Sequence, residues 1–224
     1  MYFDWFEQKR QDKMRQLFLK LSKEGIIKSY NKNEIIDIES GEYVVIVVEG
    51  ILSVEIISSM GNEKLLYVLR PGEIYGEMSY FCGGRCVTIL KAKEKSKIAL
   101  VKRDILETVL ENEPEIYRYF IHSITRKFRI VMLQLTSAIF NDSIGKIADT
   151  LLRLASCSEK NPDEEVFISV SYTHQELANN VGCSRITITR CLNRFISEGI
   201  IDIKNKRIII KDIDKLQSYV DKII

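Results

Sequence analysis

Several things the chain lacks limit what it can be. No apolar run approaches the length a membrane-spanning helix needs. Met1 to Lys23 is charged and helical in pattern, without the apolar core of a signal peptide, so a cytoplasmic location is expected. Histidine is nearly absent: His122 and His174 stand far apart, which leaves no zinc constellation. The cysteines, Cys82, Cys86, Cys157, Cys183 and Cys191, are odd in number and scattered, which argues against a secreted disulfide framework. They read as buried free thiols. A surplus of charge is missing too. The formal net charge is +2, and from Asp142 onward acidic and basic residues are equal in number. Any affinity for nucleic acid must therefore come from local placement rather than from bulk charge. No catalytic triad, metal cluster, phosphate-binding loop or pair of catalytic carboxylates is present, so an enzyme is not expected.

What is present is enough for one large or two modest domains in 224 residues. The most informative stretch runs from Tyr172 to Gly199 and reads as two short helices around a tight turn. Thr173 followed by Glu176 predicts a capping box. Leu177, Ala178 and Val181 give the first helix one apolar side. Gly182 supplies a left-handed turn residue and Ser184 can cap the second helix. In that helix Ile188, Cys191 or Leu192, and Phe195 recur at helical spacing, so Arg185, Ile186, Thr189, Arg190 and Asn193 face outward. This is the pattern of a helix-turn-helix, in which the small Ala178 allows a close crossing. Its outward chemistry suits DNA: arginine forks onto guanine, threonine bonds a base or a phosphate, and isoleucine touches a thymine methyl. A plain helical hairpin with solvated arginines would share the spacing. The following segment favours DNA, because Ile200–Ile203 and Arg207–Ile210 read as two strands around a basic turn, a wing that adds Lys204, Lys206 and Arg207. Arg194 adds a third arginine to the second helix.

The N-terminal half has a different pattern. After a short amphipathic helix over ~5–24, short β-runs are expected at Glu34–Ile38, Tyr43–Val48, Ile51–Ile57, Lys64–Leu69, Val87–Lys93 and Lys97–Val101. Glycines punctuate them, which suggests a closed sandwich or barrel. Asp104–Leu110 reads as a short helix and Pro114–Phe140 as a long one. Along the long helix Ile121, Ile124, Phe128, Val131, Leu135 and Ala138 alternate at three and four, the spacing of a coiled-coil seam, though a helix lying in part on its own domain's core would share it. Asn141-Asp142-Ser143 breaks the pattern as a hinge before a helix over Ile144–Ala155. A polar loop at 158–165 and a strand over Val166–Val170 then lead into the helix-turn-helix.

The run Val181-Gly-Cys-Ser-Arg through Arg190, then Glu198-Gly-Ile-Ile and a wing, resembles the DNA-binding domain of the cyclic-AMP receptor protein/fumarate-nitrate regulator (CRP/FNR) superfamily. Gly41, Val48-Glu49-Gly50, Pro71-Gly72 and Gly76-Glu77 resemble the β-roll of cyclic-nucleotide-binding domains, so the resemblance extends from ~25 to ~212. It implies an α+β chain with three parts. These are an effector-sensing β-roll over 1–113, a dimerisation helix over 114–140, and a winged helix-turn-helix over 141–224.

The resemblance also implies where an effector would sit: Gly76, Glu77, Met78, Ser79, Arg85, Cys86, Val131 and Met132. Glu77 would hold a ribose hydroxyl and Arg85 a cyclic phosphate, although the two could simply pair with each other. Three departures point away from cyclic AMP. The loop from Glu77 to Arg85 is shorter than in the cAMP-binding relatives, Cys86 stands where a serine is expected, and Val131 and Met132 replace a polar pair that reads adenine. A site without hydrogen-bonding groups does not discriminate by them. The expected effector is a different small molecule in a more apolar pocket near Tyr80, Phe81, Phe128, Val131 and Met132. Gly61–Tyr67 is similar to a stretch in clostridial regulators that sense chlorinated aromatics. Two alternatives stay open: thiol redox through Cys82 and Cys86, and a cAMP-responsive regulator. Haem would need an axial ligand, for which His122 is a candidate by default.

The DNA-contacting set implied is Thr173, Gln175, Ser184, Arg185, Ile186, Thr187, Thr189, Arg190 and Lys206. In well-known subgroups of the family a glutamate follows the residue aligned with Arg185 and accepts a hydrogen bond from cytosine. Here Ile186 occupies that place, which favours a thymine methyl. The expected partners are a palindromic double-stranded operator, a second copy of the chain, and RNA polymerase if it activates.

Overall fold

The computed structural model describes residues 7–156, 166–168, 171–205 and 207–221. Cys157, the loop at 158–165, the end of the expected strand at 169–170 and Lys206 lie outside the described residues. The chain forms two compact units that divide between Val131 and Met132, inside the long helix.

The first unit opens with α1 (Gln8–Leu21) and a 3₁₀ turn over Ser22–Glu24. Eight strands follow: β1 (Ile26–Tyr30), β2 (Ile35–Ile36), β3 (Tyr43–Glu49), β4 (Leu52–Ile57), β5 (Glu63–Leu69), β6 (Ile74–Tyr75), β7 (Ile89–Ala92) and β8 (Ser96–Lys102). Helix α2 (Glu77–Cys82) interrupts them, and α3 (Arg103–Asn112) and α4 (Ile116–Phe140) close the unit. The strands make two four-stranded sheets, ordered β1-β8-β3-β6 and β2-β7-β4-β5. Every pairing is antiparallel.

The run Val44-Val45-Ile46-Val47 shows why this sequence makes a two-sided layer. Successive side chains of a strand point to opposite faces. Val45 and Val47 enter the core between the sheets with Leu52, Val54, Leu69, Leu90 and Ile98. Val44 and Ile46 enter a second core with Met14, Phe18, Leu106, Leu110 and Phe120. There the rings of Phe18 and Phe120 meet edge to face at 5.0 Å, joining α1 to α4. The six expected strands appear with edges moved by up to two residues. Two more, β1 and β6, lay outside the specified runs. β1 exposes Ile26 and Ile27, and β6 is two residues long, so neither shows an alternation that marks a strand.

The second unit contains the end of α4, then α5 (Ser143–Ser156), β9 (Val166–Phe167), α6 (His174–Val181), α7 (Arg185–Ser197), β10 (Ile201–Lys204), β11 (Arg207–Ile210) and α8 (Ile213–Gln217). β10 and β11 form the hairpin, with Lys204 opposite Arg207, and β9 adds a third strand. Asn141 and Asp142 separate α4 from α5, where the helical pattern breaks. Asp142 Oδ1 accepts from Gly145 N at 2.7 Å and caps α5.

Candidate nucleic-acid interface and effector pocket

The helix-turn-helix is built from local bonds. Thr173 Oγ1 accepts from Glu176 N at 3.1 Å while Thr173 N donates to the Glu176 carboxylate at 2.7 Å, completing the capping box on α6. Gly182 ends α6 in the left-handed region, φ +82°, and its N–H reaches Ala178 O at 2.8 Å. Ser184 then caps α7 by accepting from Thr187 N at 3.1 Å. Ile188, Leu192 and Phe195 are buried, and so is Cys191: both cysteine and leucine face inward.

The opposite face of α7 is open. Arg185, Arg190 and Asn193 are exposed, and Ile186 is 64% exposed. An apolar side chain held in water beside two arginines is the arrangement that a thymine methyl would cover. Gln175 is exposed on α6, where its amide donates to Asn179 Oδ1. Thr187 is half-buried, its hydroxyl 2.8 Å from that of Ser184.

Thr189 is placed by a contact that the sequence did not announce. Its hydroxyl donates to Arg185 O at 3.0 Å and lies 2.8 Å from His174 Nδ1, so a residue of α6 fixes its rotamer. Arg194, counted among the arginines of this helix, is committed elsewhere. It donates to Glu198 at 2.8 Å and to the Tyr219 hydroxyl at 3.2 Å, and Tyr219 stacks beside Phe195. That arginine fastens α7 to the segment after α8, so Arg185 and Arg190 are the exposed arginines of the outward face.

In the β-roll unit Gly76 precedes α2 with φ +97°, and a Cβ there would stand 2.7 Å from Tyr43 O, so glycine is required. Glu77 is 2% exposed. Its carboxylate pairs with Lys127 of α4, not with Arg85, and Lys127 Nζ also donates to Ile74 O at 2.7 Å. Ser79 is buried, whereas Met78 and Arg85 are exposed. Val131 and Met132 are exposed on α4, beside Phe128. Tyr80 is buried and packs edge to face on Phe81 at 4.7 Å.

Gly76, Ser79 and Cys86 come together on a cavity of about 310 Å³, lined also by Ile36, Ile38, Tyr75, Thr88 and Leu90. The Thr88 hydroxyl is 2.9 Å from both Cys86 Sγ and the Tyr75 hydroxyl. Burial pushes the Cys86 thiol up, but the Thr88 hydroxyl, the Thr88 amide and the Tyr75 hydroxyl outweigh it and hold the thiol below its ordinary value. Cys82 is exposed and is not part of the lining.

A second buried polar network is centred on Glu73, outside the cavity lining. Glu73 is fully buried and receives Gln11 Nε2 at 2.6 Å, Arg15 Nη2 at 3.0 Å and Arg70 N at 3.0 Å, with Arg126 at 3.6 Å. Desolvation raises its pKa, but Arg126 and Arg15 together with the Arg70 amide reverse the sign and lower it. His122 Nε2 lies 3.0 Å from Gln11 Oε1, so the imidazole belongs to this network. No described helix is long and apolar enough to cross a membrane.

Two family models match the chain: a cyclic nucleotide-binding domain over residues 27–113 and a Crp-like helix-turn-helix domain over residues 145–219. A "CRP-like cAMP-activated global transcriptional regulator" of Mycobacterium tuberculosis is 27% identical over 178 residues, 80% of each chain. The "cAMP-activated global transcriptional regulator CRP" of Pasteurella multocida is 28% identical over 175 residues, 77% of this chain and 82% of that one. Among solved structures, FixK2 from Bradyrhizobium japonicum superposes with a TM-score of 0.76 at 19% identity, covering 89% of this chain and 99% of that one. The c-di-GMP responsive global regulator CLP of Xanthomonas campestris superposes with a TM-score of 0.70 at 19% identity, covering 85% and 96%.

Proposed function

Because the chain belongs to the CRP/FNR family of DNA-binding transcription regulators, which are not enzymes, we propose that it works as an effector-controlled homodimer on a palindromic operator. In this reading residues 1–113 sense, 114–140 dimerise and 141–224 bind DNA. The observation that carries the dimer is the outer face of α4. Ile121, Phe128 and Leu135 are 60%, 64% and 61% exposed, and Val131 and Ala138 continue the stripe. Large apolar side chains at this spacing are stable in water only when covered, and a second copy of the same helix covers them in register. Two recognition helices related by a twofold axis would then enter major grooves ~34 Å apart. Arg185 and Arg190 would meet bases or phosphates and Ile186 a thymine methyl, with Thr173, Gln175, Ser184, Thr187, Thr189 and Lys206 positioning.

The proposed effector is a small molecule other than cyclic AMP. Some relatives are cAMP-activated and another is c-di-GMP responsive, so the shared fold leaves the effector open. Here Glu77 is already neutralised by Lys127, and Val131 and Met132 offer a base no side-chain hydrogen bond. Thiol redox is the second reading, favoured by Cys86 on a cavity wall four residues from the exposed Cys82.

Leu135→Asp tests the dimer. The substitution is at an exposed position, so each unit should still fold, while sedimentation should show a monomer and operator affinity should fall. A dimer that persists in this variant and in Phe128→Asp would contradict the proposal.

A further inference from the structure

The cavity beside Gly76 has a chemistry of its own. It lies between β2 with its following loop (Ile36, Ile38), the end of β6 (Tyr75) and the segment entering β7 (Cys86, Thr88, Leu90). Its volume, about 310 Å³, is at the lower end of the range for small-molecule sites. Among the described residues that line it, Asp37 alone carries a charge. A cyclic phosphate or a carboxylate would find no cation in this lining, and its desolvation would go uncompensated. The wall, which mixes aliphatic side chains with the hydroxyls of Ser79, Tyr75 and Thr88, suits an uncharged molecule instead.

One polar cluster faces this wall, and it is nucleophilic. Thr88 Oγ1 is within 2.9 Å of both Cys86 Sγ and the Tyr75 hydroxyl, and Tyr75 also donates to Thr88 O at 3.0 Å. The Thr88 hydroxyl can donate to a thiolate, and the depressed thiol pKa agrees with that role. Cys86 is half-buried and lines the cavity.

We propose that this cavity captures a small uncharged electrophile of the α,β-unsaturated carbonyl class on Cys86 Sγ, and that this adduct is the effector event. The Cys86 thiolate attacks the β-carbon and a C–S bond forms. The π pair of the C=C bond moves onto the carbonyl oxygen as an enolate. Water, which took the thiol proton, returns a proton to the α-carbon. Thiol and enone give a saturated thioether with no oxidant or reductant consumed. The proposal rests on the reading of the β-roll as the sensing unit.

The test treats the full-length protein with cinnamaldehyde, or with 3-phenylpropanal as the saturated control, and follows intact mass, peptide maps and DNA affinity. The expected result is an adduct on Cys86 that forms faster than on the more exposed Cys82. It should be lost in Cys86→Ser, slowed in Thr88→Val, absent with the control, and accompanied by a change in operator affinity. Preferential reaction at Cys82, or an unchanged rate in Cys86→Ser, would overturn the site. An adduct on Cys86 that leaves DNA affinity unchanged would overturn its sensing role. Operator binding by the untreated protein reads the DNA-binding function separately, so the two failures are distinguishable.

Discussion

In the winged helix-turn-helix unit, the bonds that shape the site mostly reach three or four residues along the chain: Thr173 to Glu176, Ser184 to Thr187, Thr189 to Arg185. In the β-roll unit the bonds that tie the helices and sheets together join residues fifty or more positions apart, Glu77 to Lys127, Glu73 to Gln11 and His122 to Gln11, while the cavity wall is held over a shorter reach, Cys86 to Thr88 and Tyr75 to Thr88. The first kind of site is specified by short sequence windows. The second kind depends on how α1, α2 and α4 meet the sheets, so a change in one element reaches the others. On the proposed function, recognition would rest on the local kind, and the long-range kind would couple the elements of the sensing unit. Such a division would let a reading head keep its shape while a sensor responds.

The largest effect should come from breaking a long-range pair. Lys127→Ala leaves the Glu77 carboxylate buried and unpaired, at a cost of ~3–5 kcal/mol. Chemical unfolding of the β-roll unit should show it, and Glu77→Leu combined with Lys127→Met should recover most of the loss. If the single and double variants are equally unstable, the pair is not what holds α4 to the roll.

Next in size is the recognition face. Arg185→Ala should cost ~1–3 kcal/mol on specific sites and much less on random duplex, measured by titration at one fixed salt concentration. Ile186→Glu should shift the preferred base at one position of each half-site away from thymine, which a selection from randomised duplex would read directly. The cap substitutions come after that. Thr173→Ala or Ser184→Ala should each remove ~1 kcal/mol from the second unit and leave the first unchanged, as separate melting of the two units would report.

The smallest effect at neutral pH is the acid dependence of Glu73. A depressed carboxylate pKa gives stability that is fully present above the unfolded value and is lost as pH falls through the folded one. The first unit should therefore weaken only below the ordinary glutamate range, and Glu73→Gln should flatten that slope.

The same difference in reach accounts for what was legible in the sequence. The capping box, the turn glycine, the hairpin and the outward face of α7 lie within forty residues, and each has a side-chain signature. His174 escaped because its bond to Thr189 crosses from α6 to α7. Arg194 was readable as a surface cation, but the Tyr219 hydroxyl that engages it lies 25 residues on. In the β-roll the longer strands were visible as apolar runs, whereas β6 is too short for any period to show. Lys127 interrupts the buried face of α4 between Ser123 and Ile130, and a lysine there signals a buried partner without identifying Glu77.

The most direct test of the account is selection of purified protein on a randomised duplex pool, with and without cyclic AMP. The account predicts one palindrome, with half-sites about one helical turn apart, enriched equally in both arms. Enrichment of a palindrome only when cyclic AMP is present would contradict it. The nucleotide would then be the effector.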